Sequence, residues 1–256
     1  MCLIVLAWRA RADLPLVVAA NRDEWRARPT QPAHWWDDHP ELLAGRDLQA
    51  GGTWMGVTRA GRFAAVTNFR DPGDKRSSAR SRGNLVTEYL LGGEAPRDFL
   101  ASLVARAGEY NGFNLIVGDR ASLWYFGSRE SEARTIEPGI HGLSNHLLDE
   151  PWPKVVRART AMQRALLESD PAPRLFAVLA DPHGAADGEL PDTGVGIDWE
   201  RRLASPLITG ADYGTRSSTV MTATGQGAIR FEERTLAADG NVVGLHVEQL
   251  QLETQR

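Results

Sequence analysis

Two apolar runs near the start of the chain, Cys2-Leu-Ile-Val-Leu-Ala-Trp8 and Leu16-Val-Val-Ala-Ala20, are separated by a polar turn around Arg11 and Asp13. Aliphatic and β-branched runs bounded by a turn predict paired strands, in a hairpin or a close equivalent. The pair ends on a dense polar tetrad, Asn21-Arg-Asp-Glu24. Whatever else the chain does, it must bury this hairpin and find partners for the tetrad at its far end.

Beyond it, a polar stretch rich in Trp, Pro and Asp reads as a loop as far as Gly51-Gly-Thr-Trp-Met-Gly56, and Arg62-Phe-Ala-Ala-Val-Thr67 reads as a strand closing at Asn68. Residues 71–82 are charged, contain Gly and Ser, and are expected at the surface. Helical patterning covers 83–91 and 96–107, where Pro96 suits a first-turn position. Two strands are expected at 113–119 and 122–126, then a strand or loop pair over 136–145. Residues 153–167 form an amphipathic helix whose stripe of Val155, Ala158, Met162 and Leu166 is core packing. Residues 181–206, rich in Gly, Pro and Asp, read as a long loop that suits a rim or lid over a site. Three strand-like runs follow at 217–223, 228–236 and 242–250. Strands at both ends with helices between them predict a layered α+β protein, and 256 residues suit a single domain spanning 1–256.

Bulk properties narrow the function classes. A formal net charge of -4 supplies no electrostatic reason to expect nucleic acid. One cysteine makes neither an intramolecular disulfide nor a cysteine-rich metal site, and the His34/His39 and His141/His146 pairs lack the cysteines of a zinc finger. The opening apolar run is too short to span a bilayer and has no positive residue before it. The expectation is a cytoplasmic protein with no membrane span and no resident cofactor. Phosphate transfer has no support either, since no Gly-rich loop precedes a helix.

The sole cysteine stands at position 2. Removal of Met1 would leave Cys2 with both a thiol and a free α-amine, whose ordinary pKa of roughly 8 lies close to working pH. One residue would then hold nucleophile and base together, as in amine-activated amide hydrolases; a small apolar residue opening a buried strand is the plainer alternative. In an extended chain Asn21 and Asp23 fall on one side and Arg22 and Glu24 on the other. An arginine beside a thiol favours the thiolate, and a carboxylate can orient an ammonium or a water. Asn68 and Asn145 end apolar strands, where a neutral amide can donate to a developing oxyanion or simply form a turn. Arg216 opens a late strand and can bind a carboxylate or support the site.

Several segments together resemble the NRDE, or transport and Golgi organisation, family: Met-Cys-Leu at the start, Ala20-Asn-Arg-Asp-Glu-Trp25, Gly51-Gly-Thr-Trp54, Gly61-Arg-Phe-Ala64 with Thr67-Asn-Phe-Arg70, Phe113-Asn-Leu-Ile-Val-Gly118, and Leu143-Ser-Asn145. A more distant likeness is to N-terminal nucleophile hydrolases of the choloylglycine hydrolase and penicillin acylase type. That likeness implies a four-layer αββα sandwich with two antiparallel sheets and Cys2 as nucleophile at the end of a central strand. It further implies Asn68 as oxyanion donor, Asn145 in the Thr-Asn element, and Arg216 as the late active-site arginine. The hairpin departs from their Arg-Asn-x-Asp pattern: here arginine and carboxylate are adjacent. Either Arg22 and Asp23 take those roles with a register shift, or Asn21 and Glu24 occupy the positions with changed chemistry.

Two functions follow as expectations. The first is an N-terminal cysteine nucleophile hydrolase acting on a small-molecule amide or related acyl bond. The second, drawn from the family's association with trafficking, is a non-catalytic cytosolic carrier of haem or acyl-coenzyme A, with Trp25, Trp35, Trp36, Trp54 and Trp199 as an apolar wall.

Overall fold

The computed structural model describes residues 2–252 other than 75, 77 and 78; Met1 and part of the charged 71–82 stretch therefore lie outside the described residues. The expected hairpin is present as β1 (Cys2–Trp8) and β2 (Leu16–Trp25). Its antiparallel register sets Cys2 opposite Arg22 and Trp8 opposite Leu16. The second strand does not stop before the tetrad but runs through it.

The next segment corrects the loop expected after the hairpin. It contains β3 (Thr30–Trp35) and β4 (Leu42–Asp47), ahead of β5 (Met55–Thr58) and β6 (Phe63–Asn68). The third strand is an edge strand, and an edge tolerates the proline at position 32. Helices α1 (Gly83–Leu91) and α2 (Pro96–Val104) follow, then β7 (Phe113–Gly118), β8 (Leu123–Gly127), β9 (Arg134–Thr135) and β10 (Gly139–Leu143). After them come α3 (Pro153–Ala165), α4 (Ala172–Leu179) and α5 (Ile197–Leu203). The fourth helix was not foreseen, and the fifth sits inside the expected 181–206 loop. The chain closes with β11 (Tyr213–Ala223), β12 (Ala228–Leu236) and β13 (Val242–Gln251).

These strands make two antiparallel sheets, ordered β10-β1-β2-β11-β12-β13 and β3-β4-β5-β6-β7-β8-β9. Alternation along each strand sorts their side chains. Ile4, Leu6 and Val18 of the first sheet meet Val57, Ala65 and Ile116 of the second. The opposite face of the first sheet, with Leu3, Val5, Val17 and Ala19, is covered by Val155, Met162, Leu175 and Leu179 of α3 and α4. Leu85, Val86, Phe99 and Leu103 of α1 and α2 cover Ala64, Leu115 and Val117 on the outer face of the second. The result is a four-layer αββα sandwich, the expected α+β class. Two covered faces explain why β1 is apolar at successive positions instead of alternating. Each fully buried aliphatic side chain contributes about 1.5–3 kcal/mol of transfer free energy. Among the described residues no helix is long and apolar enough to cross a membrane.

Polar residues gather at one end of the sandwich. The start of β1, the end of β2, the end of β6 and the residues just after β10 meet there: Ser144 Oγ donates to the Cys2 carbonyl at 3.0 Å, and Asn145 Nδ2 donates to the Asn68 carbonyl at 2.9 Å.

Candidate active site

Cys2 is partly exposed and lies beside Arg22 on the neighbouring strand. Burial pushes its thiol up and the Asp23 charge adds to that; the backbone N–H of Asp23, donated to the sulfur, and the Arg22 charge pull the other way. A cavity of about 10 Å³, room for one water, is lined by Cys2, Arg22, Trp54 and Thr219 among others.

Alternation divides the tetrad as expected. Asn21 faces the helical layer and is 1% exposed: Nδ2 donates to the carbonyls of Leu179 and Pro206 at 2.8 and 2.9 Å, while Oδ1 accepts from Ser218 Oγ at 2.6 Å. Its amide is thereby committed to joining β2, β11 and the helices. Arg22, on the other face, stacks over the ring of Trp54 with 4.3 Å to the ring centroid. Asp23 is buried, and Thr215 Oγ1 donates to its Oδ1 at 2.7 Å. Burial pushes the Asp23 carboxyl up, opposed by surrounding positive charges that include Lys154. Glu24, at the rim, accepts from the backbone N–H of Trp25 at 2.8 Å and stands 3.7 Å from Arg22 and 3.9 Å from Arg28.

Asn68 lines a cleft of about 440 Å³ together with Glu24, Trp25, Arg70, Trp199 and Tyr213. Three of those aromatics form a wall of mutual edge-on contacts, Trp25 with Tyr213 at 5.3 Å, Trp199 with Tyr213 at 5.7 Å and Trp25 with Trp199 at 6.0 Å. Residues 194, 195, 199 and 203 also border the cleft, so the segment read as a rim does stand beside it. Asn145 is fully buried, and its donation to the Asn68 carbonyl fixes where β6 ends. Arg216 occupies the irregularity between the Thr215 and Ser217 pairings, and its Nη1 donates to the carbonyls of Trp25, Arg26 and Arg28 at 3.1 to 3.3 Å. It ties down the turn after the tetrad.

Three charged residues at this end escaped the sequence reading. Lys154 is 2% exposed and donates from Nζ to the Leu203 carbonyl at 2.9 Å; burial pushes its amine down to about 8. The signal was available, because Lys154 precedes Ala158 and Met162 at four-residue spacing on the buried stripe of α3. Arg70 and Glu200 form a buried ion pair at 2.5 Å, with Arg70 also stacked over Trp152 and Glu200 accepting from the Thr193 backbone at 2.9 Å. No local pattern links residues 70 and 200, so only the fold could reveal that pair. Among the described residues no group of three or more His, Cys, Asp or Glu side chains could hold a metal ion.

Comparison with known proteins sets this geometry in a lineage. The Transport and Golgi organisation 2 family model matches residues 1–238. Relatives include the Transport and Golgi organization protein 2 homologs of Bos taurus, 35% identical over 243 residues, and of Homo sapiens, 33% identical over 239; each alignment covers 86% of this chain and 86% of the relative. Among solved structures, the chain is similar to the C2A mutant of conjugated bile acid hydrolase from Clostridium perfringens, with 8% identity, a TM-score of 0.49, and coverage of 99% of this chain and 94% of that one. With its Asn-Arg-Asp-Glu strand intact and the match running from the first strand into the last hairpin, the chain belongs to the Transport and Golgi organisation 2 family.

Proposed function

We propose that the protein is an N-terminal nucleophile hydrolase that cleaves a small-molecule amide or related acyl bond, with Cys2, freed of Met1, as the nucleophile. The observation that carries this reading is the convergence at Cys2: a thiol accepting the Asp23 N–H, beside Arg22, at the end of the sandwich that also opens the Asn68-lined cleft. The α-amine takes the thiol proton as sulfur attacks the carbonyl carbon. Asn68 donates to the resulting oxyanion, and Asn145 holds Asn68 in place. Collapse breaks the carbon–nitrogen bond, the departing amine takes the proton from the ammonium, and water then hydrolyses the thioester to regenerate Cys2.

Asp23 and Arg22 take the carboxylate and arginine roles in this scheme, Asp23 to orient the ammonium and Arg22 to favour thiolate. Asn21 and Arg216 support them through the backbone, and Glu24 forms the cleft rim. The cleft's aromatic wall suits an apolar acyl group. A panel of N-acyl amides assayed with wild type and Cys2→Ser tests the reading. Loss of at least about a thousandfold in the variant is expected, and equal rates would overturn it.

The relatives' naming for transport favours a second reading, a carrier of acyl-coenzyme A or haem in the same cleft. Trp25 and Trp199 line that cleft, so saturable quenching of tryptophan fluorescence by an acyl-coenzyme A or by haem, without turnover, would support the carrier.

A further inference from the structure

The Gly51-Gly-Thr-Trp54 motif has no part in the scheme above, yet its geometry is heavily determined. The Thr53 backbone N–H donates to the Gly83 carbonyl at 3.4 Å, and Thr53 Oγ1 donates to the Met55 carbonyl at 3.2 Å. Gly52 packs so closely on the start of α1 that a Cβ there would lie 2.6 Å from the Gly83 carbonyl carbon. The Trp54 carbonyl accepts from the Val66 N–H at 2.9 Å. Most tellingly, the Trp54 ring fills the space that a side chain at position 45 would need: a Cβ on Gly45 would overlap the far edge of the indole. Backbone, helix start and a vacant position on β4 thus agree on one place for this ring.

What that place serves is Arg22. The side chain is 5% exposed, yet Nη1 makes no hydrogen bond and Nη2 lies 3.7 Å from Glu24, too far for one. Its well-defined contact is the stack on the Trp54 face at 4.3 Å. With Nη1 unbonded and Glu24 beyond hydrogen-bond reach, the cation over the indole face supplies a directional hold on the guanidinium. Arg22 in turn is the cross-strand partner of Cys2, and Cys2, Arg22 and Trp54 line the same small cavity.

We propose that Trp54 is a positioning residue: seated over Gly45, it holds the Arg22 guanidinium against Cys2 and so keeps the thiolate accessible. The inference rests on the nucleophile reading of Cys2, but its test needs no substrate. Cys2 is the only cysteine in the chain, so the alkylation rate by iodoacetamide, followed from pH 6 to 10, reports this thiol alone. In Trp54→Leu, which keeps apolar bulk and lacks a ring face, the profile is expected to move to higher pH, with alkylation at pH 7.5 slowed roughly threefold to tenfold. Trp54→Phe, which retains a face, should restore most of the rate. In an Arg22→Gln background the same Trp54→Leu change should have no further effect, because the ring acts through the guanidinium.

An unshifted profile in Trp54→Leu would overturn the proposal, as would an equal shift in the Arg22→Gln background. If the shift appears but no amide is turned over, the hydrolase reading fails and the positioning role stands.

Discussion

The apolar start of β2, Leu16 to Ala20, and the three polar residues that follow it, Asn21 to Asp23, are equally buried and held in opposite ways. Leu16 to Ala20 are no more than 8% exposed, and neither are Asn21, Arg22 and Asp23. The apolar start is held by area: Val18 and Ala20 sink between the sheets, while Val17 and Ala19 sink under α3 and α4. The three polar residues expose no more surface but are held by named partners, Ser218, Leu179 and Pro206 for Asn21, the Trp54 face for Arg22, Thr215 for Asp23. Apolar packing adapts to small changes of neighbour, whereas a buried polar group must keep its specific partner or pay the desolvation of an unmade bond. A fold that places three successive polar residues in a covered strand concentrates its specific contacts there, beside the only thiol.

The largest expected effect tests whether the polar end depends on pairing. Arg70→Met leaves the Glu200 carboxylate buried without its partner, so the variant should lose about 3–5 kcal/mol of unfolding free energy by urea titration. A loss under about 1 kcal/mol would mean that the pair is not held dry. Next comes a direct contest within β2. Asn21→Leu strands two carbonyls and a hydroxyl, and should cost about 3 kcal/mol. Val18→Ala empties part of the inter-sheet core and should cost about 2 kcal/mol. The reverse order would contradict the division of labour drawn above.

The smallest effect concerns the lysine behind the tetrad. With its amine pushed down to about 8 from an ordinary 10.5, folded Lys154 loses its proton at a pH where the unfolded chain still holds one. Stability contributed by this group therefore rises with pH between those values and is least below 8. Between pH 8 and 9.5 the wild type should gain about 1.5 kcal/mol relative to Lys154→Met. Parallel denaturation curves of the two proteins that keep a constant separation would show that the amine is solvated.

The sequence exposed the two halves of β2 unequally. Periodicity and apolar runs located β1, the start of β2, α1 and β12, because burial leaves its mark in residue type. It failed for β3, where an edge position permits Pro32 and exposed polar residues, for the short β4 beside it, and for α4 and α5, which lie among turn-forming residues. At the candidate site, Cys2 and the tetrad were legible because strand pairing is local, and the alternation that separates Asn21 from Arg22 follows from strand geometry alone. Arg70 with Glu200 and the Trp54–Arg22 stack were not, since they join residues far apart in the chain. Arg216 was legible as a residue of interest, but its anchoring of the turn carbonyls depends on a strand irregularity that no residue type announces.

Whether Cys2 acts as an N-terminal nucleophile is open to one direct measurement. The protein is mixed with a p-nitrophenyl acyl ester, quenched in acid during turnover, and weighed intact before fragmentation. The predicted species lacks Met1 and carries one acyl group in place of the Cys2 thiol hydrogen, absent in Cys2→Ser. A chain that retains Met1, or an acyl group mapped to any other residue, would contradict it.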